Sequence, residues 1–312
     1  MRTFAENKTM MHEHAHHHHT SGGRMLAVTL LNAVITLAEF VGGMLANSLS
    51  LVSDAVHNLG DTLSMATAYV AQRIGNRRAD MRHTFGWKRA EIIAAFANAA
   101  ALIAICLFLL HEAWTRFNHP EPIKGALMMG VAIVGLAANL LSVFVLRGEH
   151  HHGMNARAAY LHLLGDTLSS VAVVAGGLAI WRWGAAWLDP LITVLVALYI
   201  MYHTWHVLSA AVDILMQSAP GDIDVPAIVE AVERMEGIRN IHHLHLWRLD
   251  EERVHFEAHI NVESDVDMRR AAAIREAVEA LLASRGIRHS TLQIGLSCCE
   301  PGEALIVDEG RE

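Results

Sequence analysis

Apolar residues in this chain fall into six long blocks, at roughly 25–46, 49–72, 90–117, 123–146, 155–181 and 187–212. A helix that crosses a bilayer needs about 20 predominantly apolar residues, so each block predicts one crossing. Only Ala46-Asn47-Ser48 separates the first two, which predicts a tight helical hairpin. Six crossings place both chain ends on the same side. After about residue 214 the pattern changes to a helix (225–236), a strand (238–248), a second strand (253–263), a helix (267–284) and a strand (288–296). In the second strand Val254, Phe256, Ala258, Ile260 and Val262 share one face, and His255, Glu257, His259, Asn261 and Glu263 share the other. The order α-β-β-α-β predicts a three-stranded sheet with two helices on one face. Residues 1–23 are polar, carry His12, His14 and His16 to His19, and cannot bury enough apolar surface to fold alone. The expected division is a disordered tail (1–23), a polytopic six-helix transmembrane domain (24–213), a cytoplasmic α+β domain (214–297) and a C-terminal tail (298–312).

Charge changes the picture in one respect, by orienting the helices. Charged residues make up 18 % of the 312, below the roughly 25 % of soluble domains, and they crowd the C-terminal part. The net charge of −8 comes largely from that part and says little about nucleic acid, but no basic patch interleaved with aromatics appears, and no nucleic-acid partner is expected. Between the second and third blocks lie Arg73, Arg77, Arg78, Arg82, Lys88 and Arg89, and between the fourth and fifth Arg147 and Arg157. The opposite loops carry only Arg116, Lys124 and Arg182. Positive residues stay inside, so both termini are expected in the cytoplasm. Cys106, Cys298 and Cys299 make no disulfide framework. The polar, histidine-rich start does not resemble a cleavable signal peptide.

The chemistry lies in an internal repeat. The second block contains His57-Asn58-Leu59-Gly60-Asp61-Thr62-Leu63-Ser64 and the fifth His162-Leu163-Leu164-Gly165-Asp166-Thr167-Leu168-Ser169, identical at seven of eight positions. In each copy His and Asp are four residues apart and so share one helical face. The second helix runs inward and the fifth outward, so the repeat is inverted, as in many transporters with a midplane site. The histidines fall about eight residues into their helices and the aspartates about twelve, roughly 12–18 Å deep in a ~30 Å core. Ionisable groups at that depth cost about 2.5–3.5 kcal/mol for an Asp, a cost that a shared divalent cation offsets. Two imidazole nitrogens and two carboxylate oxygens make a tetrahedral shell that suits Zn²⁺ better than Mg²⁺ or Ca²⁺.

These residues resemble the cation diffusion facilitator family, in its bacterial zinc-efflux branch. The match includes Ser53-Asp54-Ala55-Val56-His57-Asn58-Leu59-Gly60-Asp61, His83-Thr84-Phe85-Gly86-Trp87-Lys88-Arg89-Ala90-Glu91, His162 to Asp166, and Ile241-His242-His243-Leu244-His245-Leu246-Trp247. It runs from residue 24 to about 297. The resemblance implies a homodimer in the bacterial inner membrane with a metallochaperone-like cytoplasmic domain. It also implies Zn²⁺ export, with Cd²⁺ as a second cargo, in exchange for protons at His57, Asp61, His162 and Asp166. Histidine at position 57 looks like the zinc-preferring variant. Of a further loop site known in the family, Asp80 and His83 match two positions, but Trp87 occupies the third, which weakens or removes that site. His242, His259 and His289 match cytoplasmic zinc positions, with Gly295 where some relatives have a carboxylate and Cys298 or Cys299 as candidates to complete the shell.

Other residues carry two readings each. Asp54 is either an outer partner of His57 or a solvated vestibule residue, and Glu39 is either functional or interhelical. Asn32, Asn98 and Asn139 read as interhelical hydrogen-bonding groups. The N-terminal histidines and His150 to His152 read as weak metal collectors, or as segments without a role. Two rival functions are a membrane-anchored metal sensor, which needs no ligands at mid-bilayer depth, and an intramembrane metalloprotease, which needs a His-x-x-x-His pair with an adjacent Glu that no block contains. The chain is not expected to be an enzyme.

Overall fold

The computed structural model describes residues 22–146, 154–296 and 305, with the side chains of 22–32, 142, 145, 146 and 154–163 left aside. Six long helices come first: α1 (Gly22–Ala46), α2 (Leu49–Gly75), α3 (Ala90–Asn118), α4 (Gly125–Leu146), α5 (Met154–Trp183) and α6 (Leu188–Leu215). They match the six apolar blocks to within a few residues. The chain divides into two compact units, Met1–Thr62 with Arg116–Thr193 and Leu63–Thr115 with Val194–Glu312, so that α2, α3 and α6 each contribute residues to both.

Among the described residues three helical stretches are long and apolar enough to cross a membrane: Ala90–Asn118, Leu164–Trp183 and Leu188–Leu215. Ala33–Ala46 and Gly125–Leu141 are shorter apolar helices. By contrast α2 carries Asp54, His57 and Asp61 within about two turns, and the residues that dilute its hydropathy are those of the repeat. This is a membrane protein with a small sheet domain.

In the first unit, α4 packs on α5 and on α1. Small residues let the backbones approach: a Cβ at Gly125 would lie 2.6 Å from the Trp181 amide nitrogen, and one at Gly177 3.0 Å from the Met129 Cα. The α1–α2 hairpin turns at Asn47, whose φ of 57° is left-handed, a conformation that Asn tolerates. The turn is held from outside: Arg116 Nη1 donates to the Asn47 carbonyl at 2.7 Å and Nη2 to its Oδ1 at 2.9 Å. The Asp189 carboxylate, at the start of α6, accepts from the Leu49 and Ser50 amides and from the Ser48 and Ser50 hydroxyls. It caps α2 from a different helix.

In the second unit, α7 (Val225–Glu233), β1 (Ile238–Arg248), β2 (Val254–Val262), α8 (Met268–Ser284) and β3 (His289–Gly295) follow the predicted order. The sheet runs β1-β2-β3, antiparallel then parallel. One core joins Ile228 and Val232 of α7 and Ile274, Val278 and Leu282 of α8 to Phe256, Ala258, Ile260 and Val262 of β2. Both helices therefore cover the apolar face, as the alternation in β2 predicts. Asp224 and Asp267 cap α7 and α8 by accepting from Ala227 and Arg270 amides. The α7 helix ends three residues before the predicted 236, at its C-cap Arg234, with Gly237 at φ 89° turning the chain into β1.

Candidate metal centre

α2 and α5 bring three of the four predicted ligands together. His57 and Asp61 lie one turn apart on α2, and His57 Nε2 stands 3.7 Å from Asp61 Oδ2. From α5, Asp166 Oδ1 comes within 3.1 Å of the same nitrogen. The three donor atoms lie within 4.8 Å of one another. A tetrahedral zinc shell with bonds of about 2.1 Å spaces its donors about 3.4 Å apart, so these distances suit a divalent ion without large movement. His57 and Asp166 are buried and Asp61 is half-buried. The fourth predicted ligand, His162, lies on α5 one turn before Asp166, with its side chain outside the described residues.

The surroundings are polar and specific. Asp54 is 2 % exposed, which removes the solvated-vestibule reading. Its carboxylate accepts from Ser169 Oγ at 2.6 Å and Ser170 Oγ at 3.1 Å, tying α2 to α5 one turn above His57. Asn139 on α4 donates to Ser170 Oγ at 3.0 Å, and Asn98 on α3 donates to Ser64 Oγ on α2. Both asparagines thus bridge helices as expected, while the Asn32 side chain lies outside the described residues. Asn58 Nδ2 donates to Glu39 Oε2 on α1 at 3.1 Å.

The loop residues Asp80 and His83 come together locally. Asp80 Oδ1 accepts from the Arg82 amide at 2.8 Å and the His83 amide at 2.7 Å, which holds its carboxyl below the usual range. His83 Nδ1 lies 3.2 Å from the same oxygen, and its ring stacks on Trp87 at 4.1 Å.

In the sheet domain the three predicted histidines do not meet. His242 and His259 pair across β1 and β2, with ring centroids 5.6 Å apart. His289 instead pairs with His255, at 4.3 Å, while the β3 residue opposite His259 is Gln293. His255 and His259 are four residues apart on one strand, about 13 Å. Parity within β2 does not report the offset of β3, so the sequence could not exclude His289. Two histidines were missed. His243 stacks on His259 at 4.6 Å because β1 is irregular between His242 and His245, with φ 50° at His243. The signal was the run His242-His243-Leu244-His245, which a regular strand would split between two faces. His255 is buried among Trp247, Phe85 and His289. Cys298, Cys299, His150 to His152 and the N-terminal histidines lie outside the described residues.

Burial, and then the neighbouring His289, push the His255 imidazole below its usual range. The unfolded chain then binds the proton more readily, so stability is greatest above the unfolded value near 6.5 and falls as pH drops through it toward the folded value. Thermal unfolding of the detergent-purified chain should show a steeper loss between about pH 7 and 5.5 than the His255→Phe variant. Parallel pH profiles for the two proteins would contradict that assignment.

The cation efflux transmembrane domain family matches residues 25–216, and the cation efflux protein cytoplasmic domain matches residues 220–294. The chain belongs to the cation efflux family, in the branch that holds bacterial zinc-efflux proteins. It is 36 % identical over 299 residues to the zinc transporter ZitB of Escherichia coli (strain K12), covering 93 % of this chain and 94 % of that protein. It is 35 % identical over 283 residues to the cadmium, cobalt and zinc/H⁺-K⁺ antiporter of Bacillus subtilis (strain 168), covering 89 % and 91 %. With the metal cation efflux system protein CzcD of Cupriavidus metallidurans it shares 34 % identity over 293 residues, covering 93 % and 92 %.

Proposed function

We propose that this chain is a proton-coupled antiporter that exports Zn²⁺, with Cd²⁺ as a second cargo, from the cytoplasm across the bacterial inner membrane. In this reading α1 to α6 all cross the membrane, both termini are cytoplasmic, residues 24–213 form the transport domain, and residues 214–297 form a cytoplasmic domain through which two copies dimerise. The observation that carries it is the meeting of His57, Asp61 and Asp166 across α2 and α5 at donor spacings of 3.1 and 3.7 Å. The family match and the names of the relatives support the same reading.

The chemistry follows from the donor set. Zinc binds the neutral imidazole of His57 and the carboxylates of Asp61 and Asp166, with His162 as the fourth donor, so binding expels protons. An imidazole near its reference pKa of 6.5 exchanges protons within the working range. On the outer side, higher acidity favours reprotonation and metal release; on the inner side the protons leave and zinc enters. Each net charge moved is worth about 2.3 kcal/mol per 100 mV. Exporting Zn²⁺ for one proton therefore opposes an inside-negative potential, and the pH gradient must contribute.

Reconstituted vesicles with an imposed pH gradient test this directly: zinc should move against the proton gradient and collapse it, and zinc flux insensitive to that gradient would refute the antiport. The same assay reads selectivity. His57→Asp replaces a borderline nitrogen with a hard oxygen, so it should lower the preference for Zn²⁺ over Mn²⁺ by about tenfold, equivalent to about 1.4 kcal/mol. An unchanged preference would mean that position 57 does not select the metal.

A further inference from the structure

Glu39 is a carboxyl that the zinc site does not use, and the structure builds a place for it. On α1 it is 1 % exposed. Asn58 Nδ2 donates to its Oε2 at 3.1 Å, while its Oε1 is buried and has no hydrogen-bond partner among the described residues. That oxygen occupies the space over Gly135 of α4, where a Cβ would come within 1.6 Å of it. Any other residue at 135 would displace the carboxyl. Among the described residues, Asp54 on α2 is the titratable group whose charge acts on Glu39; α4 presents Gly135, without a side chain. An ionised carboxylate wants donors on both oxygens, and one oxygen bare in a buried site favours the neutral acid.

The sequence shows that this arrangement belongs to one half of the inverted repeat. The eight-residue motifs differ at a single position, Asn58 against Leu163, and Asn58 is the residue that holds Glu39. Asn58 directly follows His57, so α2 presents a metal ligand and a carboxyl holder on successive residues. Asp54 lies on the same helix and acts electrostatically on both Glu39 and His57.

We propose that Glu39 is a second proton-carrying site, a buried carboxyl that holds a proton in the zinc-free protein and releases it as zinc enters. The inference rests on the antiport reading above and adds a proton to it. When the dication binds beside Asn58, its positive charge favours the ionised carboxylate, and the Glu39 O–H bond breaks, with the proton passing to water on the cytoplasmic side. When zinc leaves outward, the bond re-forms with a proton taken from outer water. One proton is thereby added to each zinc exported, which offsets the electrical cost of moving a dication outward.

The test uses the full chain in vesicles with independently set pH gradient and membrane potential, reading the potential at which zinc flux vanishes. Glu39→Gln keeps an acceptor for Asn58 and removes the exchangeable proton, so H⁺ moved per Zn²⁺ should fall by about one and zinc export should become more strongly opposed by an inside-negative potential. An unchanged ratio in an active Glu39→Gln protein overturns the inference while leaving the antiport intact; wild-type flux that ignores the pH gradient overturns the antiport itself. Infrared spectra of the wild-type chain labelled with isotopic glutamate decide the matter even if the variant is inert. A protonated glutamic acid carbonyl band at neutral pH, shifted by the label and lost on adding zinc, is expected, and its absence overturns the proposal.

Discussion

Replacing Asp166 with alanine should reduce zinc–proton exchange by more than about 100-fold while the protein remains folded. Loss of a partner one layer out from a metal typically costs 10- to 100-fold, and Asp166 is nearer than that. It is the α5 donor among the described residues, 3.1 Å from His57 Nε2 and 5 % exposed. Its removal takes away one proposed metal ligand and one negative charge, and leaves His57 and Asp61, 3.7 Å apart on α2, with the proposed fourth donor His162. Three donors with one carboxylate fewer hold a dication more weakly than four, so zinc loses the charge that α5 brings to the site. Asp61→Ala should be nearly as severe, though Asp61 is partly exposed and water can occupy its place. Flux in reconstituted vesicles, with helix content checked by circular dichroism, measures both. Exchange within a few-fold of wild type in Asp166→Ala would remove the site from the mechanism.

How much of this was legible in the sequence depends on the range of each interaction. The six long helices, the sheet order and the pairing of His57 with Asp61 are local patterns, with periods of 3.6 and 2 and a four-residue spacing. They emerge with boundaries shifted by a few residues. The meeting of α2 with α5 was also legible, because a repeated eight-residue motif states the same His–Asp chemistry twice. What was not legible depends on offsets between distant segments. The register of β3 on β2 places His289 beside His255 rather than His259, and no alternation rule fixes that register. The β1 irregularity that turns His243 onto His259 breaks the period on which a strand reading relies. Glu39 could be noticed as a charge in an apolar block, but its choice between roles needed Asn58 and the bare face of Gly135, neither of which is near it in sequence.

Asp189 is the clearest such case, and it carries the largest stability effect. Nothing near it in sequence signals a role, since its partners are 139 to 141 residues away. In the fold it is fully buried and accepts from Ser48 Oγ at 2.6 Å, Ser50 Oγ at 2.6 Å, the Leu49 amide at 2.8 Å and the Ser50 amide at 3.1 Å. The first amides of a helix have no partner within it, and an anion there is favoured by the helix dipole. Asp189 sits at the start of α2 and in the first turn of α6, so one carboxylate serves two helix starts, with Arg116 Nη1 4.0 Å away as counter-charge. Asp189→Ala strands these buried donors and takes a buried counter-charge from Arg116, which keeps its hydrogen bonds to Asn47. Unsatisfied buried groups cost about 1–3 kcal/mol each and a broken buried charge pair about 3–5; the donors share one acceptor, so the values do not add, and a loss of about 3–5 kcal/mol is expected. Asp189→Asn keeps one accepting oxygen and should lose roughly half as much. The loss should reach transport as well, because α2 places His57 only about two turns beyond the capped end. Unfolding midpoints for the two variants, ranked alanine below asparagine below wild type, measure the effect. Equal midpoints for alanine and wild type would mean that α2 does not depend on its borrowed cap.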